Sequence, residues 1–237
     1  MIEGLQSALS ALKVTQTRVN QTAHNLANVS TPGFRPGRVE QGDVASGGVR
    51  VTGATMLEGG PIVTSFGPLD LAIDGAGFFV LDDGQGGRVY SRAGNFTQDA
   101  QGNVVDPQGR RLMPPLQVPQ GTARVEVNAD GQVSFLDQAG ASLGQGQIQT
   151  AQFANPSGLE AVGGNAFQET AASGPPVVDA PGSAGHGSLV AGALQGSGTD
   201  MVREMVNLIV DSRTFKANIR SAQTSDEMLG SVLDLKR

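Results

Sequence analysis

The 237-residue sequence contains no cysteine and no tryptophan, and it has only one tyrosine and two histidines. Without cysteine the chain can form neither disulfides nor thiolate metal sites, and it has no thiol nucleophile. His24 and His186 alone offer little material for acid–base or metal chemistry near neutral pH. These shortages favour a structural or binding protein over an enzyme.

The sequence is also short of positive charge and of long apolar runs. Its 16 Lys and Arg residues are outnumbered by 22 Asp and Glu residues, which gives a formal net charge of −6 and a pI near 4.9. Binding of nucleic acid is disfavoured, because phosphates require clustered basic residues. No stretch reaches the roughly 18 consecutive apolar residues of a membrane-spanning helix. The first residues also lack the basic start and compact apolar block of a secretory signal peptide.

Glycine, in contrast, is abundant, with 34 residues. In the middle of the chain, short β-type runs alternate with turn signals such as Asp83-Gly84, Gln108-Gly109 and Asp130-Gly131. Glycine supplies the positive φ that such turns need, and Asp can bond to its own backbone. This pattern predicts an antiparallel domain of the barrel or sandwich type rather than a parallel βαβ fold. The predicted strands are Val49–Thr52, Leu69–Ile73, Phe78–Leu81, Arg88–Ser91, Val104–Val105, Arg124–Val127, Val133–Leu136 and Gln147–Phe153.

Both ends of the chain show a different pattern, in which apolar residues recur at alternating steps of three and four. This is the a/d spacing of heptad helices. Thr31-Pro32-Gly33 is expected to end the first helix, and Thr199 or Asp200 can cap the start of the second. The N-terminal stripe is Ile2, Leu5, Leu9, Leu12, Gln16, Val19, Ala23 and Leu26. The C-terminal stripe is Met201, Met205, Leu208, Ser212, Phe215, Ile219, Ala222, Asp226, Leu229 and Leu233.

A narrow a/d stripe is typical of a coiled-coil seam rather than of the broad face that packs on a core. Because short isolated helices are marginal, the two ends are expected to pair with each other or with copies from neighbouring subunits. We therefore predict an α+β, mainly β fold, in which the N- and C-terminal heptad helices pair as a coiled-coil-like stalk beside a central glycine-rich antiparallel β domain. The predicted assembly and packing residues are Leu5, Leu9, Leu12, Val19, Leu26, Met205, Leu208, Phe215, Ile219 and Leu229.

One enzymatic motif competes with this interpretation. Residues 140–144 match the G-x-S-x-G pattern around Ser142, and Asp179 and His186 follow in the chain order of a hydrolase. However, no helix is predicted after Ser142 and no parallel sheet beneath it, so the match is attributed to the richness in glycine. No loop has the spacing of a phosphate-binding or EF-hand loop. We therefore predict no catalytic, cofactor-binding or metal-binding residue.

Three sets of segments resemble the bacterial flagellar axial proteins of rod and hook. They occur in the order of that family and cover roughly half of the chain. The first is Ala23–Phe34, and the second combines Leu69–Val80 with Tyr90–Asp99 and Gly102–Val105. The third runs from Glu204–Ile209 through Arg213-Thr214-Phe215 to Asn218 and Met228-Leu229.

The resemblance implies terminal helices that pair and line a tube around a central export channel, with the β middle as an outer domain. The implied division is 1–34 for the N-terminal helix of the inner axial domain, 35–65 for an extended linker, 66–186 for the central β domain, and 187–237 for the C-terminal helix of the inner axial domain. The implied function is that of a structural subunit of the basal-body rod, which self-assembles into a helical tube and transmits motor torque to the hook. The short connection Arg35–Pro68 favours the proximal over the distal rod type.

The resemblance also implies partners and a location. The partners are further copies in an open helical assembly, other rod and hook proteins, and the flagellar type III export apparatus, with neither nucleic acid nor a membrane span. The location is the periplasmic portion of the flagellar axis, reached without a cleaved signal peptide. The alternatives are a hook-type or accessory hook–basal-body protein, a β binding domain with incidental helices, and a Ser142-dependent hydrolase.

If the heptad stripes carry assembly contacts, a charge placed within them must be costly. We expect Leu12→Asp and Ile219→Asp each to block rod assembly while the β domain stays folded, because either carboxylate would have to lose its water in the seam. Electron microscopy of basal bodies from strains carrying each variant measures assembly. Full-length rods in either strain would show that the stripes are not the seam.

Overall fold

The computed structural model describes residues 2–44, 48–56 and 58–234. The chain forms two compact units. The helical unit consists of Met1–Val29, Pro36–Leu57 and Thr199–Arg237, and the β unit consists of Ser30–Arg35 and Glu58–Gly198. The chain thus returns to the helical unit twice, and each unit is built from segments that are distant in the sequence.

Two long helices form where the heptad periodicity predicts them. Helix α1 spans Ile2–Ala27 and helix α2 spans Met201–Asp234. Asp200 caps α2, because its side-chain Oδ1 accepts a hydrogen bond from the backbone N–H of Arg203 at 3.1 Å. The two helices pack against each other within the helical unit. The predicted fold, mainly β with paired terminal helices, is confirmed.

The described residues also form eighteen short strands and one 3₁₀ helix, Pro156–Gly158. Each of the eight strands predicted from the sequence overlaps an observed strand. The strands are β1 (Gly37–Asp43), β2 (Val49–Met56), β3 (Ile62–Thr64), β4 (Leu71–Asp74), β5 (Phe78–Asp82), β6 (Arg88–Ser91), β7 (Thr97–Gln98), β8 (Val104–Val105), β9 (Arg111–Leu112), β10 (Arg124–Val127), β11 (Gln132–Leu136), β12 (Ser142–Gln147), β13 (Thr150–Gln152), β14 (Glu160–Gly163), β15 (Ala166–Gln168), β16 (Val177–Asp179), β17 (Ser188–Ala191) and β18 (Ala193–Gln195).

Every pairing among these strands is antiparallel. The main sheet of the β unit has nine strands in the order β14-β15-β6-β5-β9-β8-β7, and β13 joins β5 to β16. A three-stranded sheet β10-β11-β12 and the pairs β17-β4 and β18-β3 complete the unit. One apolar core, which includes Leu81, Leu112 and Phe135, draws on both the nine-stranded and the three-stranded sheet.

The tight loops of the β unit share one device, the sequence Asp-x-x-Gly. Asp83, Asp99, Asp106 and Asp137 each accept, through Oδ1, hydrogen bonds from the backbone N–H groups two and four residues later. The glycine three residues after each Asp has a φ between +81° and +88°, which other residues rarely adopt. The richness in Gly and Asp therefore serves turn formation, as the sequence predicts.

Residues 35–65, predicted to be an extended linker, contain regular structure. Strands β1 and β2 pair as a two-stranded ribbon in the helical unit, and β3 pairs with β18 in the β unit. The ribbon contacts α1, since the backbone N–H of Val49 donates to Ser10 Oγ at 3.2 Å. The segment 187–237, assigned to the C-terminal helix, likewise begins with strands β17 and β18. Of these strands, β1 and β2 contain glycine, which has low intrinsic β-propensity, so they depend on their pairing with each other.

Gly94 tests the packing of the β unit directly. A Cβ at this position would lie 1.7 Å from the backbone oxygen of Leu71, which cannot move aside without breaking its strand. We expect Gly94→Ala to lower the free energy of unfolding by about 3 kcal/mol or more, at or above the upper end of typical overpacking. Urea unfolding of the purified chain measures the change. Gly53→Ala is the control, since a Cβ at Gly53 meets nothing within 4 Å; an equal loss in both variants would contradict the prediction.

Candidate assembly surfaces

The two terminal helices run antiparallel and meet along a stripe of polar and small residues. Asn25 faces Glu204, Arg18 faces Asp211, and Gly4 faces Ser225, so positions rise along α1 as they fall along α2. These contacts recur at heptad spacing on both helices. The seam within the chain is therefore a heptad stripe, but a polar one.

Asn25 is the best-connected residue of this seam. Its Nδ2 donates to Glu204 Oε1 at 3.0 Å and to the backbone oxygen of Gly37 at 2.9 Å. Its Oδ1 accepts from the backbone N–H of Gly37 at 3.1 Å and from Gln21 Nε2 at 3.0 Å. The side chain is only 2% exposed. Asn25 thus ties α1 to α2 and to the start of β1, and it leaves no polar atom of its own unsatisfied.

An ion pair forms the next contact along the seam. Arg18 Nη2 lies 2.7 Å from Asp211 Oδ1, and the Asp211 side chain is almost fully buried, whereas about a third of Arg18 is exposed. Burial raises the pKa of Asp211 above its ordinary value, the nearby Glu204 raises it further, and Arg18 opposes both. The carboxylate is therefore held in place at an electrostatic cost.

The predicted packing residues are only partly covered within the chain. Leu5, Leu12, Val19, Leu26, Leu208, Phe215 and Ile219 are half-buried, and the side chain of Leu229 lies outside the described ones. Leu9 is 54% exposed and Met205 is 46% exposed. The fully buried α1 side chains are instead Ala8, Val14, Thr15, Thr22 and Asn25.

The first three turns of α2 present an apolar face that no described residue covers. Its members are the pairs Met201-Val202, Met205-Val206 and Ile209-Val210, each at least 44% exposed. Val202 reaches 72%. Contiguous apolar patches of this kind are uncommon on soluble proteins and mark interaction surfaces. The a/d stripe predicted from the sequence contains Met201 and Met205 of this face but omits Val202, Val206, Ile209 and Val210.

Within the β unit, residues of the first and second family-like segments meet each other and the residues that precede α2. The backbone N–H of Gly33 donates to the oxygen of Gln195 at 2.6 Å, and that of Gly198 donates to the oxygen of Phe34 at 2.9 Å. A Cβ on Gly33 would lie 2.4 Å from the carbonyl carbon of Arg92. The resemblance is therefore concentrated where distant parts of the chain come into contact.

Ser142, the candidate nucleophile, is not arranged for catalysis. It is exposed on strand β12, and its Oγ lies 3.5 Å from the backbone oxygen of Gly144. His186 is buried and its Nδ1 lies 2.9 Å from Thr150 Oγ1. Asp179 Oδ1 accepts from the backbone N–H of Ala180. The three residues thus have separate partners among those described.

In residues 2–44, 48–56 and 58–234 no group of three or more His, Asp or Glu residues could hold a metal ion. Neither α1 nor α2, over its described length, is apolar enough to cross a membrane.

Three family models match the chain. One described as flagella basal body rod protein matches residues 5–35. One described as the D1 domain of flagellar hook protein FlgE/F/G matches residues 72–135, and one described as the C-terminal part of flagellar basal body rod FlgEFG protein matches residues 190–235.

Individual proteins are similar over the whole chain. The flagellar basal-body rod protein FlgG of Bacillus subtilis is 34% identical, and the alignment covers 100% of both chains. FlgG of Caulobacter vibrioides is 33% identical over 99% of this chain and 100% of its own. The flagellar hook protein FlgE of Helicobacter pylori is 37% identical, but over only 48% of this chain and 16% of its own. Full-length similarity is thus found with rod proteins, whereas this similarity to a hook protein is partial.

Asp211 generates a prediction about pH. Because its pKa is raised on folding, the folded chain binds this proton more tightly than the unfolded chain does. The free energy of unfolding therefore falls as pH rises above the ordinary Asp pKa of about 3.9. We expect Asp211→Asn, which removes this titrating group, to lose less stability than the original chain as the pH rises through that range.

Urea unfolding followed by far-ultraviolet circular dichroism across this pH range measures the difference. Asp226→Asn is the matched control, because Asp226 is exposed on the same helix. A pH profile of Asp211→Asn that coincides with that of the unsubstituted chain would contradict the prediction.

Proposed function

Because this chain belongs to the flagellar basal-body rod protein family, we propose that it self-assembles into the helical tube of the rod through the uncovered apolar face of α2. The chain is a structural subunit of the basal-body rod, as its full-length similarity to rod proteins indicates. We propose that particular surfaces of the chain build the tube.

The observation that carries the proposal is the placement of polar and apolar residues on the helices. The polar residues Asn25, Glu204 and Asp211 lie between α1 and α2, while Val202, Val206 and Ile209 remain in water. Burial of one such side chain contributes about 1.5–3 kcal/mol. A neighbouring copy that covers this face would therefore gain the free energy of burying these side chains, which the helix pair alone does not gain.

The predicted packing residues of the heptad stripes support the same proposal. Leu9 and Met205 are about half exposed, and the remaining predicted packing residues with described side chains are half-buried. A neighbour that packed on them would complete two coiled-coil seams at once. Since the surface offered by α2 differs from the surfaces it would meet, the contact is heterologous and extends into an open filament.

The β unit offers a further apolar contact. Phe66 is fully exposed, and Val63 on β3 is also exposed. The turn that carries Phe66 is fixed by hydrogen bonds from Ser65 Oγ to Asp70 and from the backbone N–H of Gly67 to Ser65 Oγ. An exposed aromatic side chain on a fixed turn is suited to anchor an interface. We assign it to contact between the outer parts of neighbouring copies.

These contacts define the mechanical role that we propose. A tube whose subunits interlock through helices and through the β unit transmits motor torque with little slack. Further copies, other rod and hook proteins and the type III export apparatus are the proposed partners, in the periplasmic part of the axis and without a cleaved signal peptide. The proposed mechanism includes no catalytic step.

Ile209→Asp tests the apolar face of α2. We expect it to reduce the number of complete rods by about tenfold or more, because a carboxylate would have to be desolvated in each copy-to-copy contact. Because Ile209 is 54% exposed, the monomer should keep its helix content. Electron microscopy of basal bodies and circular dichroism of the purified chain measure the two effects.

Thr214→Asp is the matched control, since Thr214 is exposed on the same helix but lies outside the apolar face. It should assemble normally. Complete rods in the Ile209→Asp strain would overturn the assignment of this face, and equal loss in both strains would show that any added charge on α2 is harmful.

A further inference from the structure

The β unit contains a cleft of about 610 Å³ that the proposed assembly face does not use. Backbone of Gly59, Gly60, Gly75 and Gly77 forms part of its wall, with the ring of Phe78 beside them. Glycine walls let another chain approach the backbone closely. Two arginines and one glutamine project from these walls, and they give the cleft its chemistry.

Arg92 is the more buried of the two arginines, at 7% exposed. Its Nη1 donates to the oxygen of Gly77 at 2.8 Å and its Nη2 to the oxygen of Gly75 at 2.7 Å. Its Nε has no hydrogen-bond partner among the described residues. Burial lowers the pKa of Arg92 to about 10, the charge of Arg35 adds to this, and Asp74 opposes it. A buried cation with an unused donor is costly unless something else accepts from it.

Arg35 brings a second positive charge to the same place. The guanidinium carbon of Arg35 lies 5.8 Å from the centre of the Phe78 ring, and that of Arg92 lies 5.9 Å from it. Burial lowers the pKa of Arg35, and Glu58 opposes the effect. Two like charges that share one ring repel each other, and an anion between them would relieve the repulsion.

Gln195 supplies the complementary group. Its Nε2 donates to the oxygen of Gly60 at 3.2 Å, while its Oε1 has no partner among the described residues. The residue is 8% exposed. Side chains that line the cleft therefore hold an unused charged donor and an unused acceptor, both shielded from solvent in the isolated chain, and a ligand that reaches them should carry both an anion and an N–H group.

We propose that this cleft binds an acidic side chain, together with an adjoining backbone N–H, from a neighbouring copy of the chain. The inference rests on the proposed rod assembly, which brings copies side by side. The carboxylate would accept from Arg92 Nε and Arg35, and the N–H would donate to Gln195 Oε1. A chain with a net charge of −6 has a surplus of carboxylates to offer.

The rim of the cleft favours a carboxylate over a free phosphate. Glu58 and Asp74 line the opening and are exposed. Their negative charges repel a doubly charged phosphate more strongly than a singly charged carboxylate. A peptide also offers a backbone N–H that can donate to Gln195 Oε1, which has no partner among the described residues.

Photo-crosslinking in assembled rods tests the proposal. Benzoylphenylalanine replaces Ile62, which lines the cleft and is 36% exposed. After irradiation of purified basal bodies, we expect a crosslink between two copies, and mass spectrometry should locate it beside an Asp or Glu of the second copy. If this variant does not assemble, the photoreactive residue is placed at Glu58, on the rim.

A charge series at Arg35 is the matched control, because Arg92 also holds the backbone of Gly75 and Gly77. We expect Arg35→Gln to reduce the crosslink yield about tenfold and Arg35→Lys to preserve most of it. Thermal unfolding of the purified variants verifies that the β unit stays folded.

Three results would overturn the proposal: no crosslink in complete rods, a crosslink to a segment without an acidic residue, or equal yields in Arg35→Gln and the unsubstituted chain. Thermal stabilisation of the purified chain by inorganic phosphate but not by acetate would point to a free anion and would also overturn it. Complete rods without the Ile62 crosslink would disprove only this cleft, whereas complete rods in the Ile209→Asp strain would disprove the proposed assembly face.

Discussion

The pairing of α1 with α2 through buried polar groups is the constraint on which the rest of the structure depends. A seam that contains Asn25, Glu204 and the Arg18–Asp211 pair gains its specificity from hydrogen bonds that only one register can make. Its net contribution to stability is small, because buried charges lose most of their attraction to desolvation. The raised pKa of Asp211 is a direct sign of that cost. The helix pair is thus well defined in register but not strongly stabilised by its own contacts.

The apolar side chains of the helices are consequently left for other contacts. In most helix pairs the apolar stripe is buried first and the polar residues face water. Here Val202, Val206 and Ile209 face water, while polar groups occupy the interior. The chain ends also have to be brought together, and the β unit helps by joining Gly33 to Gln195 and Phe34 to Gly198. These hydrogen bonds fix the segments that lead out of α1 and into α2, so less entropy remains to be lost when the helices pair.

This arrangement shows how far the sequence could predict the fold and the site. The helices, the Asp200 cap and the Asp-x-x-Gly turns could be predicted because each depends on local rules. The seam between α1 and α2 could not be predicted, because apolar spacing identifies a stripe on one helix but not the helix that packs against it. In addition, Thr15, Arg18 and Thr22 are polar, so a seam that contains them gives no apolar periodicity. Strand β12 was missed for a related reason, since Gly144 and Gly146 lower its β-propensity. A Cβ at Gly146 would lie 2.2 Å from Leu116 Cδ1, so the packing requires glycine at this position. The same glycine makes the strand hard to recognise in the sequence.

The family-like segments illustrate the same distinction between local and long-range information. Asn25 belongs to the first segment and Glu204 to the third, yet their side chains meet. Arg92 of the second segment holds the backbone of Gly75 and Gly77 and leaves one donor unused in the cleft. A recognisable motif in this chain therefore marks a joint between distant segments rather than a catalytic site. The third segment also contains Met205, Val206 and Ile209 of the exposed apolar face of α2. The motifs therefore coincide with joints within the chain and with the face that we assign to assembly, and exposure is what separates the two roles.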